Sequence, residues 1–591
     1  MLVCKRRIAI YKYQYFFIPL KRMKNQLIVK ILNNIADILE LQEVEFKPIA
    51  YRRAAQSIES LSEDIADIYE RGELEEIPGV GRHIGEKIAE IIETGKLKYY
   101  EKLKKEVKID VEGLNEIPSL GPKKIKVLYT KLGVKDIKDL EKVLKQHKVR
   151  ELEGFGEKTE ETLLHGIELL KKRPSRFLYI HAMPMVEIIS ETLKKHDFVK
   201  KVEIAGSFRR GKETVGDLDF LVVSSQPKKV MDVFTKMKDV TEVLAKGETK
   251  SSVRLSNGMQ VDLRVVHEKE YGAALLYFIG SKDHNVELRK VALKHGWTLN
   301  EYGLTTLNGN KWIAGRTQEE IYEKLGLRFI EPELRENKGE FEAARLGKLP
   351  ALITAKDIKG VFHNHTTWSD GHNSHLEMAQ KAEELGLKFI SFNDHFGHVG
   401  ITNPLTEKRL GKYLQEIDKV QKKVGIKIFS GVEIDILKDG SLPLSAAKLR
   451  ELDVVVASVH VAITMEEKEM TKRVCDALSN YPINILGHPL DRLLQEREPL
   501  ALNLDKVFDT AKQHNVFLEI NSSPKRMDLP GELVKSGVDA GCRFALSTDA
   551  HDVAHLPFYP LGVNMARRGW IEQKHLLNTW TFGKIEKALQ K

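Results

Sequence analysis

The stretch AGSFRRGKETVGDLDFLVV, residues 205–223, carries the reading of the whole chain. A Gly-Ser turn and a basic pair lead into Asp217 and Asp219, which alternate at the start of an apolar run. Alternation along a strand puts both carboxylates on one side of a sheet. A Gly-Ser turn opening a helix offers N–H groups and a hydroxyl to phosphate oxygens. Arg210 adds a planar fork suited to a triphosphate. A third carboxylate, Asp262, lies in VDLRVV (261–266), a second strand-like run that can lie alongside the first. Three like charges on apolar strands are costly without cations. Two Mg²⁺ ions about 3.5–4 Å apart, held by such a cluster, suit in-line nucleotidyl transfer.

Template-free nucleotidyltransferases share the two aspartates, so the next segment, LLYFIGSKDHNVELRKVALKHGWTLNEYGL (275–304), decides between them. With G-S-x-R-R-G-x(5)-D-x-D and the distal aspartate, it resembles the family X DNA polymerases, DNA polymerase beta among them. The resemblance implies that Asp217 and Asp219 hold both metals, and that Asp262 helps the first activate the primer 3′-hydroxyl. Ser207, Arg210 and Gly216 would contact the incoming triphosphate, with Gly280 also in the nucleotide site. Tyr277 and Phe278 would pack under the deoxyribose and reject a 2′-hydroxyl, although an aromatic pair is more often core. Asn285 would meet the base edge or the pyrophosphate side, and Arg289 the template minor groove. Lys282 and Val286 depart from the family's aspartate and lysine near the nascent base pair, so fidelity does not carry over.

Upstream, from Gln26 to about Lys172, apolar residues recur at helical spacing with Gly/Pro punctuation. One segment recurs, as LEEIPGVGRHIGEKIAEII (74–92), LNEIPSLGPKKIKVLY (114–129) and VRELEGFGEKTEETLLHGI (149–167). A Gly turn feeding a helix N-terminus presents unpaired N–H groups to a phosphate, and glycine admits the nucleic-acid backbone closely. A single copy is equally an ordinary packing unit. Three copies, with Gly81, Gly121 and Gly156 in the same place and Gly79 in the first turn, resemble the helix-hairpin-helix DNA clamp, with a monovalent cation expected at the motifs. GVGRHIG is not a dinucleotide fingerprint, because its spacing is wrong and no strand precedes it. The first copy resembles the lyase domain of DNA polymerase beta, whose Schiff-base lysine falls on Lys87. Such a nucleophile needs a lowered pKa, which Lys96 and Lys98 could supply. His83 replaces the family's phosphate-contacting lysine, which puts lyase chemistry in question.

Downstream of Ile358, VFHNHT, FISFND, IFSGVEID, VVVASVH, ILGHP, FLEINS and FALSTD are seven strand candidates separated by amphipathic segments. Seven βα-like units predict a distorted α/β barrel with its active site at the C-terminal ends of the strands. His363, His365, Asp370, His395, Glu433, His460, His488, Asp549 and His551 all fall at or just past those ends. A lone buried histidine is a core residue, whereas nine such groups suit Zn²⁺, Mn²⁺ or Fe²⁺ and suffice for more than one ion. They match the ligand pattern of the PHP phosphoesterases, which implies up to three ions, Zn²⁺ or Mn²⁺, and hydrolysis of phosphate esters by a metal-activated water. A degenerate structural barrel and small phosphomonoester substrates are the alternatives.

Charge follows the same division. Residues 1–350 carry all of the +9 net charge, and residues 351–591 hold 31 cations and 31 anions but 12 of the 20 histidines. A basic half suits a polyanion and a histidine-rich half suits metal. No run of 18 apolar residues is present, which predicts no membrane span. Cys4, Cys475 and Cys542 form no CxxC pair, as expected in a reducing cytoplasm. The predicted order is a basic arm (1–22, with Met23 as an alternative start), a lyase-like helical domain (23–108), a helical DNA-binding subdomain (109–174) and a nucleotidyltransferase palm (175–274). A nucleotide-selecting thumb-like subdomain (275–335), a linker (336–357) and the PHP domain (358–591) follow. The fold class is thus multidomain, α+β and α/β. The expected function is template-directed gap filling joined to a 3′→5′ exonuclease and abasic-site endonuclease, in base excision repair, by a monomer. Its partners would be gapped or primed DNA, abasic sites and deoxynucleoside triphosphates. The rivals are a repair nuclease whose polymerase half mainly binds DNA, and a template-independent transferase or pure DNA-binding scaffold.

Overall fold

The computed structural model describes residues 22–591, apart from 43, 60, 62–64, 96, 108, 116, 118–119, 173–175, 309–310 and 398–402. The basic arm before residue 22, Cys4 and Lys96 therefore lie outside the described residues. The chain divides after Lys172 into two compact units.

The first unit is helical. Three helices, α1 (Arg82–Thr94), α2 (Pro122–Leu132) and α3 (Glu157–Lys172), begin at the three recurring glycines. Each opens with the same bond to the glycine carbonyl, from Gly85 to Gly81 (2.9 Å), Ile125 to Gly121 (3.0 Å) and Glu160 to Gly156 (3.0 Å). Ile84, Ile88 and Ile91, spaced four and three residues apart on α1, are buried in the core with Ile28, Leu32 and Ile58. A separate core around Leu120, Leu128, Leu140 and Leu163 holds the other two hairpins.

The second unit begins with a five-stranded sheet of β1 (Lys201–Ile204), β2 (Asp217–Val223), β3 (Val240–Lys246), β4 (Lys250–Leu255) and β5 (Gln260–Val266), in the order β1-β2-β5-β4-β3. Strands β2 and β5 are parallel neighbours, and the other pairs are antiparallel. Leu218 and Phe220 on β2, with Val261 and Leu263 on β5, are buried in one cluster with residues of the helix Tyr179–Lys194. The intervening Asp217, Asp219 and Asp262 are left on the open side. Helices α4 (Tyr271–Ile279) and α5 (Lys282–Lys294) and a three-stranded antiparallel sheet follow. The stretch after residue 335 is not an exposed tether. Its helix, Glu340–Leu346, buries Glu340, Phe341 and Ala344, and the latter two join the core of the α4–α5 subdomain.

The chain ends in a closed, all-parallel barrel of seven strands: β6 (Gly360–Asn364), β7 (Phe389–Phe396), β8 (Lys427–Asp435), β9 (Val454–Ser458), β10 (Ile485–Leu486), β11 (Phe517–Asn521) and β12 (Phe544–Ala550). The strands are buried along nearly their whole length, as parallel strands covered on both faces must be. Phe362, Phe389, Phe429 and Phe517 pack with Leu577, Ile585 and Leu589, filling the barrel toward the strand starts. The histidines lie at the other end. No helix among the described residues is long and apolar enough to cross a membrane.

Candidate polymerase and metal centres

On β2 and β5, Asp219 and Asp262 are direct partners in the parallel register, and Asp217 stands opposite Gln260. The three carboxylates thus share one side of two adjacent strands. Burial, then the charges of Asp217 and Asp262, push the Asp219 carboxyl up to about 7. Burial and Asp262 likewise raise that of Asp217. Three carboxylates crowded in this way are a fit for divalent cations, whose charge would relieve the repulsion. Two neutral or cationic groups steady the cluster. Gln260 Nε2 donates to Asp262 Oδ1 (2.9 Å), and Lys250 Nζ lies 3.4 Å from Asp262 Oδ2.

The turn before β2 meets the cluster through Gly206. Its φ is +61°, and a Cβ there would stand 2.3 Å from Asp219 Oδ2, so only glycine lets the turn close over the carboxylate. The expected helix is a single turn, Gly206–Arg209, and Ser207 is half-buried on it. Arg210 points toward the subdomain that follows the palm. Its Nη1 donates to the Ile279 carbonyl and its Nε to Glu336 Oε1 (3.0 Å). Gly280 adjoins it, since a Cβ there would be 3.2 Å from Arg210 Nη1. Gly216 lies under the guanidinium of Arg176, which is fixed by two bonds to Thr214.

Tyr277 is 41% exposed while most of α4 is buried, so it is not a core aromatic. It meets Phe278 edge to face at 5.2 Å, and the Arg264 guanidinium lies 4.9 Å from the Phe278 ring centroid. Asn285 Nδ2 donates to the Tyr277 carbonyl (2.7 Å), and Arg289 Nε to that of Asn285 (3.3 Å), which ties the three together. Lys282 is exposed and Val286 half-buried on α5.

In the first unit, Gly79 has φ +82° in the turn and Gly81 caps α1. Gly154, at φ +82°, holds the matching place in the third copy and was not singled out from the sequence. Lys87 is half-exposed, donates to the His83 carbonyl (3.0 Å) and lies over the Tyr99 ring.

At the C-terminal end of the barrel the nine predicted groups converge. Glu433 sits at the middle. Its Oε2 lies 2.9 Å from His395 Nδ1, 3.2 Å from His363 Nε2 and 3.6 Å from His365 Nε2; its Oε1 lies 3.0 Å from His488 Nε2 and 3.3 Å from His460 Nε2. Asp549 Oδ1 is 3.4 Å from His365 Nε2, and Asp370 Oδ2 is 3.2 Å from His551 Nε2 and 3.6 Å from His395 Nε2. Among the described residues four overlapping groups result, each with ligand atoms within 4.8 Å: His365, Asp370, His395 and His551; His363, Glu433 and His488; His363, His365 and Asp549; His395, Glu433 and His460. Nitrogens of His363, His365, His395 and His488 are buried without a well-directed hydrogen-bond partner. Imidazole and carboxylate donors aimed at shared points in this way fit bound transition metals.

The electrostatics suit that role. Burial would neutralise Glu433, yet His363, His460 and His395 hold its carboxyl well below the usual range. Asp549 is held low in the same way, against burial, by His365, His363, His551 and Arg526. Burial and the neighbouring imidazoles push His365 down to about 4, leaving it a neutral ligand. His363 (φ +56°) and Asp549 (φ +50°) both have left-handed backbone, a strain that clusters at functional sites.

Sequence reasoning missed the supporting shell. His363 Nδ1 bonds Glu519 Oε1 (2.7 Å), His460 Nδ1 bonds Asp435 Oδ1 (2.6 Å), and Arg526 Nε lies 3.2 Å from Asp549 Oδ2. Such partners set the tautomer and orientation of ligand imidazoles. Asp435 was legible, since it lies two residues beyond Glu433 on one strand and so faces the same side.

Comparisons with known proteins follow the same division. The chain matches a helix-hairpin-helix domain over residues 23–97 and a SAM-like helix-hairpin-helix tandem over 111–168. It matches the DNA polymerase beta palm over 181–274 and the DNA polymerase beta thumb over 274–336. The PHP domain matches over 362–523, so Asp549 and His551 join that centre from beyond the matched stretch. The DNA polymerase/3′-5′ exonuclease PolX of Bacillus subtilis (strain 168) is 35% identical over 568 residues, 95% of this chain and 99% of that protein. The DNA polymerase lambda of Rattus norvegicus is 25% identical over 52% of this chain and 56% of its own. A "Probable phosphatase" of Thermoanaerobacter sp. (strain X514) is 27% identical over 39% of this chain and 96% of its own. With helix-hairpin-helix, palm, thumb and PHP matches in that order along the chain, and a relative alike over nearly its whole length, this protein belongs to the family X DNA polymerases that carry a C-terminal PHP domain.

Proposed function

We propose that this chain is a template-directed, gap-filling DNA polymerase whose PHP domain degrades DNA 3′ ends and cleaves abasic sites, in base excision repair. The observation that carries the reading is the register of β2 against β5, which sets Asp262 beside Asp219 and on the same side as Asp217. These three residues would hold two Mg²⁺ ions. Bound there, the ions would favour loss of the primer 3′-hydroxyl proton and neutralise charge on the triphosphate. Asp262 orients the primer terminus, while Ser207, Arg210, Gly216 and Gly280 orient the triphosphate. Tyr277 and Phe278 would pack under the deoxyribose, Asn285 would meet the base edge or the pyrophosphate side, and Arg289 the template minor groove. The hairpins at Gly79, Gly81, Gly121 and Gly156 grip phosphates without reading sequence, so binding should fall steeply with salt.

In the barrel, His363, His365, Asp370, His395, Glu433, His460, His488, Asp549 and His551 would hold up to three ions, Zn²⁺ or Mn²⁺. Bound metal of this kind supplies a hydroxide-like water at neutral pH and polarises the phosphoryl oxygens. Glu433 keeps the histidines converged, and Arg526 orients Asp549. Lys87 is the lyase candidate, and the protein acts in the cytoplasm as a monomer with the domain bounds given above, save that the helix Glu340–Leu346 belongs with the nucleotide-selecting subdomain. The test is a labelled duplex with a one-nucleotide gap, given Mg²⁺ or Mn²⁺, comparing wild type, Asp262→Ala and His365→Ala. Extension by the complementary deoxynucleotide should be lost only in the first variant, and 3′-end degradation only in the second. Extension surviving in Asp262→Ala, or insertion of non-complementary nucleotides at equal rates, would overturn the assignment.

A further inference from the structure

The turn before β2 is held from outside the palm. The buried cluster under that sheet runs without a break into the packing of the barrel. Helix α6 (Tyr559–Arg568), which follows the last barrel strand, lies against the 206–213 segment. Gly211, at φ +67°, faces α6 so closely that a Cβ would stand 3.2 Å from Asn564 Cβ. The Arg568 side chain is 3% exposed. Its Nη1 donates both to the Arg210 carbonyl (3.1 Å) and to Glu336 Oε1 (3.2 Å). Glu336 also receives Arg210 Nε (3.0 Å), with Lys212 Nζ at 3.4 Å. The main chain and the guanidinium of Arg210 are therefore both anchored through one pair, the buried Arg568 and the half-buried Glu336.

Neighbouring contacts repeat the arrangement. Arg567 grips Glu333 with two bonds (3.0 and 3.2 Å), and Arg209 Nη1 approaches the same carboxylate at 3.8 Å. From the loop after β10, Arg492 reaches Glu213 (3.5 Å), and Gln495 Nε2 donates to the Arg176 carbonyl (2.8 Å). Charged, directional contacts of this kind specify one geometry, which an apolar contact of the same area does not.

We propose that the PHP domain completes the polymerase's nucleotide site, with Arg568 as a positioning residue that fixes Arg210 and the 206–211 turn for the triphosphate. The proposal rests on the reading above that Arg210 and this turn bind the triphosphate. Without Arg568, Glu336 keeps its hold on Arg210 but loses the donor that aligns it, and the Arg210 carbonyl is left buried without its partner. The consequence falls on triphosphate binding more than on the chemical step, because Arg568 bonds the Arg210 end of the turn, whereas the three aspartates are placed by the register of β2 against β5. A mere interdomain glue would instead lower thermal stability and depress both activities together.

The experiment uses the full-length protein on a duplex with a one-nucleotide gap, measuring KM for the complementary deoxynucleoside triphosphate and kcat. Exonuclease rate on a single strand and thermal melting are measured alongside, for wild type, Arg568→Ala, Arg568→Lys and Arg210→Ala. Arg568→Ala should raise the triphosphate KM about tenfold while kcat and exonuclease rate stay within about threefold of wild type. Arg568→Lys keeps the charge but not the fork, and should raise KM by about threefold. The proposal is overturned if both Arg568 variants keep the wild-type KM while Arg210→Ala raises it. If Arg210→Ala also leaves KM unchanged, the triphosphate reading itself fails, and this inference with it. Should Arg568→Ala lose its melt and its exonuclease together, the lysine variant alone decides.

Discussion

Replacing Asp219 with asparagine should stabilise the metal-free protein while abolishing polymerisation. Asp219 is half-buried beside two like charges, and its carboxyl is raised from 3.8 to about 7. A carboxyl raised in the folded state takes up its proton on folding, so the folded form is disfavoured once solution pH exceeds the unfolded value. The penalty begins near pH 4, is complete above about pH 7, and disappears in acid. Roughly three units at 1.36 kcal/mol each set an upper bound of about 4 kcal/mol, and relaxation around the partly solvated cluster leaves about 2–4 kcal/mol. For a unit of this size that corresponds to about 2–5 °C in Tm. The assay is thermal melting in EDTA at pH 5 and pH 8, with and without Mg²⁺. Asp219→Asn should melt higher than wild type in EDTA at pH 8, with the gap narrowing to less than half at pH 5, and Mg²⁺ should raise the Tm of wild type far more than that of the variant. A variant that melts at or below wild type in EDTA at pH 8 would refute the claim that like-charge crowding, awaiting cations, shapes this site.

Two further outcomes probe the other halves of the assignment. Glu519→Gln removes the charge that orients His363 (2.7 Å) and should weaken metal binding in the barrel by about 10–100-fold, read with a chromophoric chelator in competition, while gap filling is unaffected; unchanged metal affinity would show that Glu519 does not orient the ligand. Tyr277→Ala should cut discrimination against ribonucleoside triphosphates by about 10–100-fold, read as the ratio of kcat/KM values for the two sugars, with deoxynucleotide insertion less affected. An unchanged ratio would remove Tyr277 from the sugar gate.

Much of this architecture was open to reading because short-range periodicity carries it. The two-residue spacing of Asp217 and Asp219 dictates a shared side, and apolar runs ending in histidine or carboxylate dictate seven barrel units with ligands at one rim. The three hairpins were visible as a repeated glycine before a helical stretch, and their first helical bonds are equivalent. What local pattern could not supply were neighbours brought together across long separations. That Asp262 lands opposite Asp219 is a property of strand register, which depends on how the whole palm core packs. The seating of Glu519 behind His363 depends on barrel closure, and the capture of Arg210 by Glu336 and Arg568 depends on the palm meeting a helix more than three hundred residues later. Residue type and spacing decide which face of an element carries chemistry. Only the burial of many apolar side chains at once decides which faces meet, and so which charges must share a site.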